Sequence, residues 1–365
     1  MLRLLAAFVL LALAVPARAD DTDKPKPNTL TPKEIADGWV LLFDGETTFG
    51  WKIDGAAEVK DGALILGKGK KTVLTPNTDF GKAIEVVLEW QGQGTILAGH
   101  TTLLFGPQLS TGQTWGTLRY VREANGDNSS KISGGDAATR TDVNDSPRLS
   151  ATSLLIETNG KTPAVLRSIK LRPLGTKPLF SGKNLDGWKV NQADPKRTAS
   201  KWEVTRDGAL SVKNGPGDLV TEKEFDNFVL QFECKTNGKA LNSGIFFRCI
   251  PGQYQNGYEA QIQNAFKDSD RTKPADFGTG AIYRRVPARK VVSNDSEWFT
   301  MTVVANGKHI STWVNGYQTV NWTDDRKEND NPRQGYRAAK GPLSIQGHDP
   351  TTDILFRNIR IASMP

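Results

Sequence analysis

Three alternating segments in the second half of the chain gather side chains suited to binding and proton transfer. In residues 242–249, strand alternation puts Ile245, Phe247 and Cys249 on one face and Asn242, Phe246 and Arg248 on the other. In residues 258–263, Tyr258, Ala260 and Ile262 oppose Glu259, Gln261 and Gln263. In residues 341–348, Leu343 and Ile345 oppose Ser344, Gln346 and His348. The polar sides together offer planar, bidentate donors and acceptors beside an aromatic ring. Sugars need such hydrogen bonds, and an aromatic platform for their C–H faces. A sheet face that merely meets water would carry mostly Lys, Thr and Glu. A ligand groove forms if the three strands share one sheet; otherwise the same alternation describes a polar outer face that binds nothing.

Most glycosidases need two carboxylates at a set separation. Glu259 is one candidate, but Gln261 and Gln263 stand where a partner on the same strand would be. Asp268, Asp276 and Asp349 are the nearest alternatives, all in expected loops. His348 could act as a base near neutral pH or serve as a loop histidine bonded to backbone. His309 reads as a surface strand residue, and His100 belongs to the first half. Three separated histidines make no zinc signature, and neither a Ser-His-Asp arrangement nor a phosphate loop is visible.

The elements that must hold these residues are strands. Thr31, Pro32 and Glu34 open one short helix, through an N-cap, a first-turn proline and a capping box, and Gly38 ends it. Helical periodicity is nearly absent afterwards. Strands are expected at residues 84–90, 154–158, 228–234, 244–250, 258–263, 299–304, 309–314, 341–348 and 353–361. Many short strands with Gly-rich turns give an all-β sandwich or jelly roll. Residues 264–277 read as a long loop of the kind that borders sites.

The chain also repeats itself. Phe43-Asp44-Gly45 precedes Gly50-Trp51-Lys52-Ile53, and Phe180-Ser181-Gly182 precedes Gly187-Trp188-Lys189-Val190 at the same spacing. Each copy continues to an Asp-Gly hairpin, Asp61-Gly62 and Asp207-Gly208. The copies end alike, on Val165-Leu166-Arg167-Ser168-Ile169 and Leu355-Phe356-Arg357-Asn358-Ile359. Two tandem β-sandwiches follow, over residues 31–174 and 177–365, after a flexible leader at 20–30.

Residues 1–19 read as a secretory signal: Arg3, an apolar run from Leu4 to Val15, and Ala17-Arg18-Ala19 for cleavage before Asp20. The run is short for a membrane span, so no membrane anchor is expected, and the protein is placed in the periplasm or outside the cell. The formal charge of +7 falls by two when Arg3 and Arg18 leave. Basic residues are scattered among acidic ones, which argues against nucleic acid as a partner. Cys234 and Cys249 both point into the core. They either form a disulfide, which export permits, or remain two buried thiols.

The second half resembles the 3-keto-disaccharide hydrolase family, formerly domain of unknown function 1080. The resemblance rests on Leu179-Phe180-x-Gly182 with Gly187-Trp188, on Asn242 to Arg248, on Tyr258-Glu259-x-Gln261-Ile262 and on Thr279-Gly280-Ala281-Ile282-Tyr283. Glu297-Trp298, Thr312 to Gly316, Gly341-Pro342-Leu343-x-Ile345-Gln346-x-His348 and Phe356 to Ile361 extend it. It implies a concanavalin A-like fold and cleavage of glycosides whose sugar is already a C3 ketone. The ketone acidifies the C2 proton, so one base suffices: the aglycone leaves C1 by elimination and water adds back. On that reading Glu259 and His348 are candidate bases, and Arg248 holds the oxyanion. Asn242, Phe246, Gln261, Gln263, Tyr283 and Gln346 bind the small-molecule or oligosaccharide substrate. No cofactor is evident; a divalent cation is the alternative polariser of the ketone. The first half lacks the site segments and reads as a diverged copy without catalysis. The alternative is a carbohydrate-binding, lectin-like protein, because fold does not fix function.

Overall fold

The computed structural model describes residues 26–98, 101–105, 115–125, 127–133, 140–142, 154–161 and 163–364. The expected signal segment lies outside these residues, as does His100. Among them the only α-helix is α1, Pro32–Ala36. Thr31 and Glu34 close its capping box, and Gly38 follows the C-cap Asp37 at φ +86°. No helix among the described residues is long and apolar enough to cross a membrane.

Everything else of consequence is antiparallel strand. Residues 40–173 build a seven-stranded and a six-stranded sheet, and residues 177–363 an eight-stranded and a five-stranded sheet. The fold is therefore all-β, two sandwiches in tandem after a short helix. Each pair of sheets closes on its apolar faces, as layered β structure requires. In the second pair, Leu219, Ile245, Phe247, Ala260 and Ile345 from the five-stranded sheet meet Leu230, Phe232, Met301 and Phe356 from the eight-stranded one, all essentially inaccessible to water. Burial of each of these Leu, Ile, Phe and Met side chains stabilises the fold by about 1.5–3 kcal/mol before entropy is counted.

The outer face of the eight-stranded sheet packs on the first sandwich. Val229, Val304 and Trp313 join the first half's core. Trp313 packs against Phe80, with ring centroids 5.2 Å apart and planes tilted by 46°, and its Nε1 donates to the Leu41 carbonyl at 3.0 Å.

The site-bearing sheet contains β1 (Trp188–Val190), β2 (Gly217–Phe225), β3 (Ser243–Phe247), β4 (Tyr258–Ile262) and β5 (Gly341–Gly347). Their spatial order is β1-β2-β5-β3-β4. β2 and the strand Tyr317–Thr323 escaped the sequence reading. β3 is shorter than expected, because Arg248 adopts φ +50° and ends the extended run.

Cys234 lies on the eight-stranded sheet and Cys249 just beyond β3 of the opposing one, and both are buried free thiols. Of the two readings left open, the structure has the thiols. Burial raises both pKa values well above the usual thiol range, so neither is poised as a nucleophile.

Candidate active site

The condition set by the sequence is met: β5, β3 and β4 are neighbours in one sheet. Phe246 of β3 stands opposite Glu259 of β4 on one side and Ser344 of β5 on the other, and Gly244 opposes Gln261. The register therefore gathers Glu259, Gln261, Phe246, Ser344 and Gln346 on the face turned away from the core. A cleft of about 440 Å³ opens over this face. Asn242, Glu259, Gln261, Tyr283, Gln346 and His348 line it, joined by Gln255, Asn256, Arg284 and Arg333.

Glu259 is the one carboxylate in that lining. Its side chain is only 5% exposed, and the nearest cation, Arg333, has Nη2 at 3.4 Å from Oε2. Gly244 makes room for it, since a Cβ there would come within 2.8 Å of Glu259 Oε1. Desolvation dominates its titration, and the charge of Asp276 adds to it. Arg333 and Arg284 pull the other way, and the net result is a carboxyl pushed up to about 7. Such a group exchanges a proton near neutrality, as a general base or acid must.

Arg333 is held over the cleft by its own loop. Nε donates to the Gln255 carbonyl at 3.0 Å, and the guanidinium lies 5.4 Å from the Phe246 ring centroid and 5.9 Å from that of Tyr283. The loop is tied down by Arg326, which pairs with Asp324 at 2.8 Å and donates to the carbonyls of Pro332 and Gly335. Arg284 follows the Thr279 to Tyr283 segment, at φ +57°, with its guanidinium 5.3 Å from the Tyr283 ring.

Two polar networks orient the rest of the lining. Buried Asp218 of β2 receives Arg197 at 2.8 Å through both oxygens, and also Gln255 Nε2 at 2.7 Å. Gln255 in turn accepts from Gln346 Nε2 at 3.0 Å. At the other end Asp276 accepts from Asn242 at 2.8 Å and from Gln261 at 3.1 Å. The expected loop thus reaches the site through Asp276. His348 pairs with Asp349, Nδ1 to Oδ2 at 2.8 Å, on the cleft rim. Hydrogen bonds from Thr351 hold the Asp349 carboxyl below its usual range, and His348 adds to the effect.

Arg248 is placed elsewhere than the sequence suggested. Its positive φ breaks strand alternation, and the side chain leaves the cleft face. The guanidinium is fully buried and donates to the carbonyls of Asp226 (2.8 Å), Gly307 (2.8 Å) and Arg337 (3.1 Å) and to Asn227 Oδ1 (3.1 Å). It fastens three loops and lies outside the cleft lining. Gln263 is likewise engaged by backbone, at Ala240 and Ala265, outside the lining. Phe246 is buried beneath Arg333 and forms floor rather than an exposed platform.

The missed residues share one cause. Arg333, Arg284, Gln255 and Asn256 sit in loops, where no periodicity announces which way a side chain turns. The sole sequence signal was adjacency, Arg284 following the Tyr283 segment. Among the described residues no group of three or more His, Cys, Asp or Glu could hold a metal ion. At the cleft a cation would meet one carboxylate, one imidazole and five carboxamides, together with the two guanidinium groups of Arg284 and Arg333.

Residues 175–362 match the family model described as a 3-keto-α-glucoside-1,2-lyase-like domain. Comparison with curated proteins gives no match. Among solved structures, a candidate glycosyl hydrolase from Parabacteroides distasonis is 29% identical, with 52% of this chain and 99% of that one covered and a TM-score of 0.39. A second from the same organism is 22% identical, covering 52% and 94%, with a TM-score of 0.42. A carbohydrate-binding module from Bacillus subtilis, CBM66, is 12% identical, covering 48% and 96%, with a TM-score of 0.33.

Proposed function

The chain belongs to the family of 3-keto-α-glucoside-1,2-lyase-like domains, and from that premise we propose that its cleft cleaves glycosides carrying a ketone at C3. The observation that carries the reading is the lone carboxylate: Glu259, raised to about 7 and touched by Arg333, has no second carboxylate beside it in the lining. Hydrolysis by paired carboxylates needs two such groups. Elimination next to a ketone needs one base and one oxyanion partner.

In this mechanism the Glu259 carboxylate takes the C2 proton. The C2–H electron pair moves toward C3, and the ketone oxygen gains the negative charge of an enolate. Arg333, rather than Arg248, donates to that oxygen. The enolate then re-forms the ketone, its electrons make the C1=C2 double bond, and the C1–O bond breaks with its pair on the departing aglycone oxygen. A proton on that oxygen completes departure, and the rim imidazole of His348 is the group placed to give it. Water added across C1=C2 completes hydrolysis; release before that step makes the reaction a lyase. Asn242, Gln255, Gln261 and Gln346 hold the hydroxyls, and Tyr283 borders the ring.

The test is release of aglycone from an aryl 3-keto-glucoside by the wild type and by Glu259→Gln. Equal release by both sinks the assignment. A second reading, carbohydrate binding without cleavage, draws on the five carboxamides of the lining. It predicts saturable binding of an unoxidised oligosaccharide and no release from the ketone. We also propose that the protein works after export, and N-terminal sequencing of the mature form should then begin at Asp20.

A further inference from the structure

The two sandwiches repeat one another down to single hydrogen bonds. Leu42 N and Phe43 N donate to the Ile169 carbonyl at 2.9 and 3.3 Å, and Leu179 N and Phe180 N donate to the Ile359 carbonyl at 2.8 and 3.3 Å. Trp51 Nε1 donates to the Leu42 carbonyl as Trp188 Nε1 does to that of Leu179. The strand bulges match, with Ser168 at φ +52° and Asn358 at φ +51°. So do the glycines, Gly45 with Gly182 and Gly62 with Gly208, all with φ between +72° and +79°.

In the first sandwich these matched positions hold a guest from the leader. Asn28 Nδ2 donates to the Gly62 carbonyl at 2.7 Å, and Asn28 Oδ1 accepts from Ser168 N at 2.8 Å. Its backbone N–H donates to Ser168 Oγ at 3.2 Å. A Cβ on Gly45 would strike the Asn28 amide at 2.7 Å. One asparagine, at φ +58° in the turn that Thr29 N closes on the Lys26 carbonyl at 3.3 Å, thus closes the slot between the opening loop, the hairpin and the bulge.

The second sandwich has the slot without the guest. Its first strand starts at Lys177, directly after the linker, so no leader of its own reaches the slot. A cleft of about 560 Å³ remains, lined among others by Phe180, Gly182, Lys183, Gly208 and Asn358. The loops lean together instead: a Cβ on Gly182 would meet the Gly208 carbonyl at 3.1 Å, where its counterpart on Gly45 meets Asn28.

We propose that this second slot docks a tight turn of another polypeptide, which presents an asparagine as Asn28 does. The carboxamide N–H donates to the Gly208 carbonyl, and the carboxamide oxygen accepts from Asn358 N–H. Entry parts the Gly182 and Gly208 loops, which lie outside the core. The slot is built on the eight-stranded sheet, on the other layer from Glu259, so docking is independent of the proposed chemistry.

The test is calorimetric titration of the full chain with an N-acetylated peptide of residues 26–31, Lys-Pro-Asn-Thr-Leu-Thr. One peptide should bind per chain. The same peptide with Asn28→Asp should bind at least about tenfold more weakly, because a donor is lost and a charge is desolvated. Ser181→Trp in the protein, at an exposed slot residue, should abolish binding and leave the thermal melt unchanged. Failure of the wild type to saturate at millimolar peptide overturns the proposal, as does equal binding by the Asp peptide. Undiminished binding to the Ser181→Trp protein overturns it too, by assigning the peptide to the leader's own slot. Saturation by N-acetylglucosamine but not by peptide would replace the polypeptide with a sugar acetamide.

Discussion

Arg333→Met is the substitution that most directly tests the proposed chemistry. Arg333 Nη2 stands 3.4 Å from Glu259 Oε2, with the two side chains 24% and 5% exposed. At an effective dielectric of ~20, Coulomb's law gives roughly 5 kcal/mol for that separation. A hydrogen bond to a charged group contributes about 1.5–3 kcal/mol net, and Arg284 remains nearby to share the screening. At ~1.4 kcal/mol per pH unit, the Glu259 midpoint should move from about 7 to about one or two pH units higher. Loss of the oxyanion donor should also lower kcat by ~10²–10³-fold. The assay is aglycone release from an aryl 3-keto-glucoside across neutral and alkaline pH, paired with carbon NMR titration of the Glu259 carboxyl, which needs no turnover. Arg333→Lys, which keeps the charge, should leave the midpoint near the wild-type value. A midpoint that stays put or falls in Arg333→Met refutes the reasoning. A fall would mean that the loop merely loosened and let water reach Glu259.

Three further outcomes follow from the geometry. Glu259→Gln should lower turnover ~10²–10⁴-fold and change the pH dependence of stability. The folded-state pKa lies above the ordinary glutamate value of 4.5, so the contribution of Glu259 is fully present below 4.5 and lost as pH rises through about 7. Urea midpoints of the wild type should therefore fall across that window, by the equivalent of roughly 3 kcal/mol, and those of the Gln variant should not. Gly244→Ala should displace Glu259, because the new Cβ would stand 2.8 Å from its Oε1. Overpacking of this kind costs about 1–3 kcal/mol, and turnover should fall more steeply than the melting temperature; unchanged turnover would show that Glu259 has room to spare. Arg248→Met should destabilise the fold, since it leaves the Asp226, Gly307 and Arg337 carbonyls without their donor, at about 1–3 kcal/mol for each acceptor that stays buried and unpaired. The fraction still folded should keep its KM; a raised KM with normal stability would return Arg248 to the cleft.

The sequence by itself determined the all-β class, the capped helix, the doubled sandwich and the polar face over which the cleft opens. Those features are local or periodic. Alternation fixes which side Glu259 and Gln261 take, Asp61-Gly62 makes its hairpin wherever it sits, and repeated motifs imply repeated structure. What the tertiary structure alone decided is which strands adjoin and what the loops bring. Alternation placed Arg248 beside Phe246, yet a single residue at positive φ sent it under three loops. The cation that reaches Glu259 is Arg333, 74 residues along the chain, carried by a loop whose path is set by Asp324 and Arg326. The raised pKa of Glu259 belongs to the same class. It comes from desolvation by the surrounding fold, and a sequence reports which residue carries the charge but not how much water is left around it.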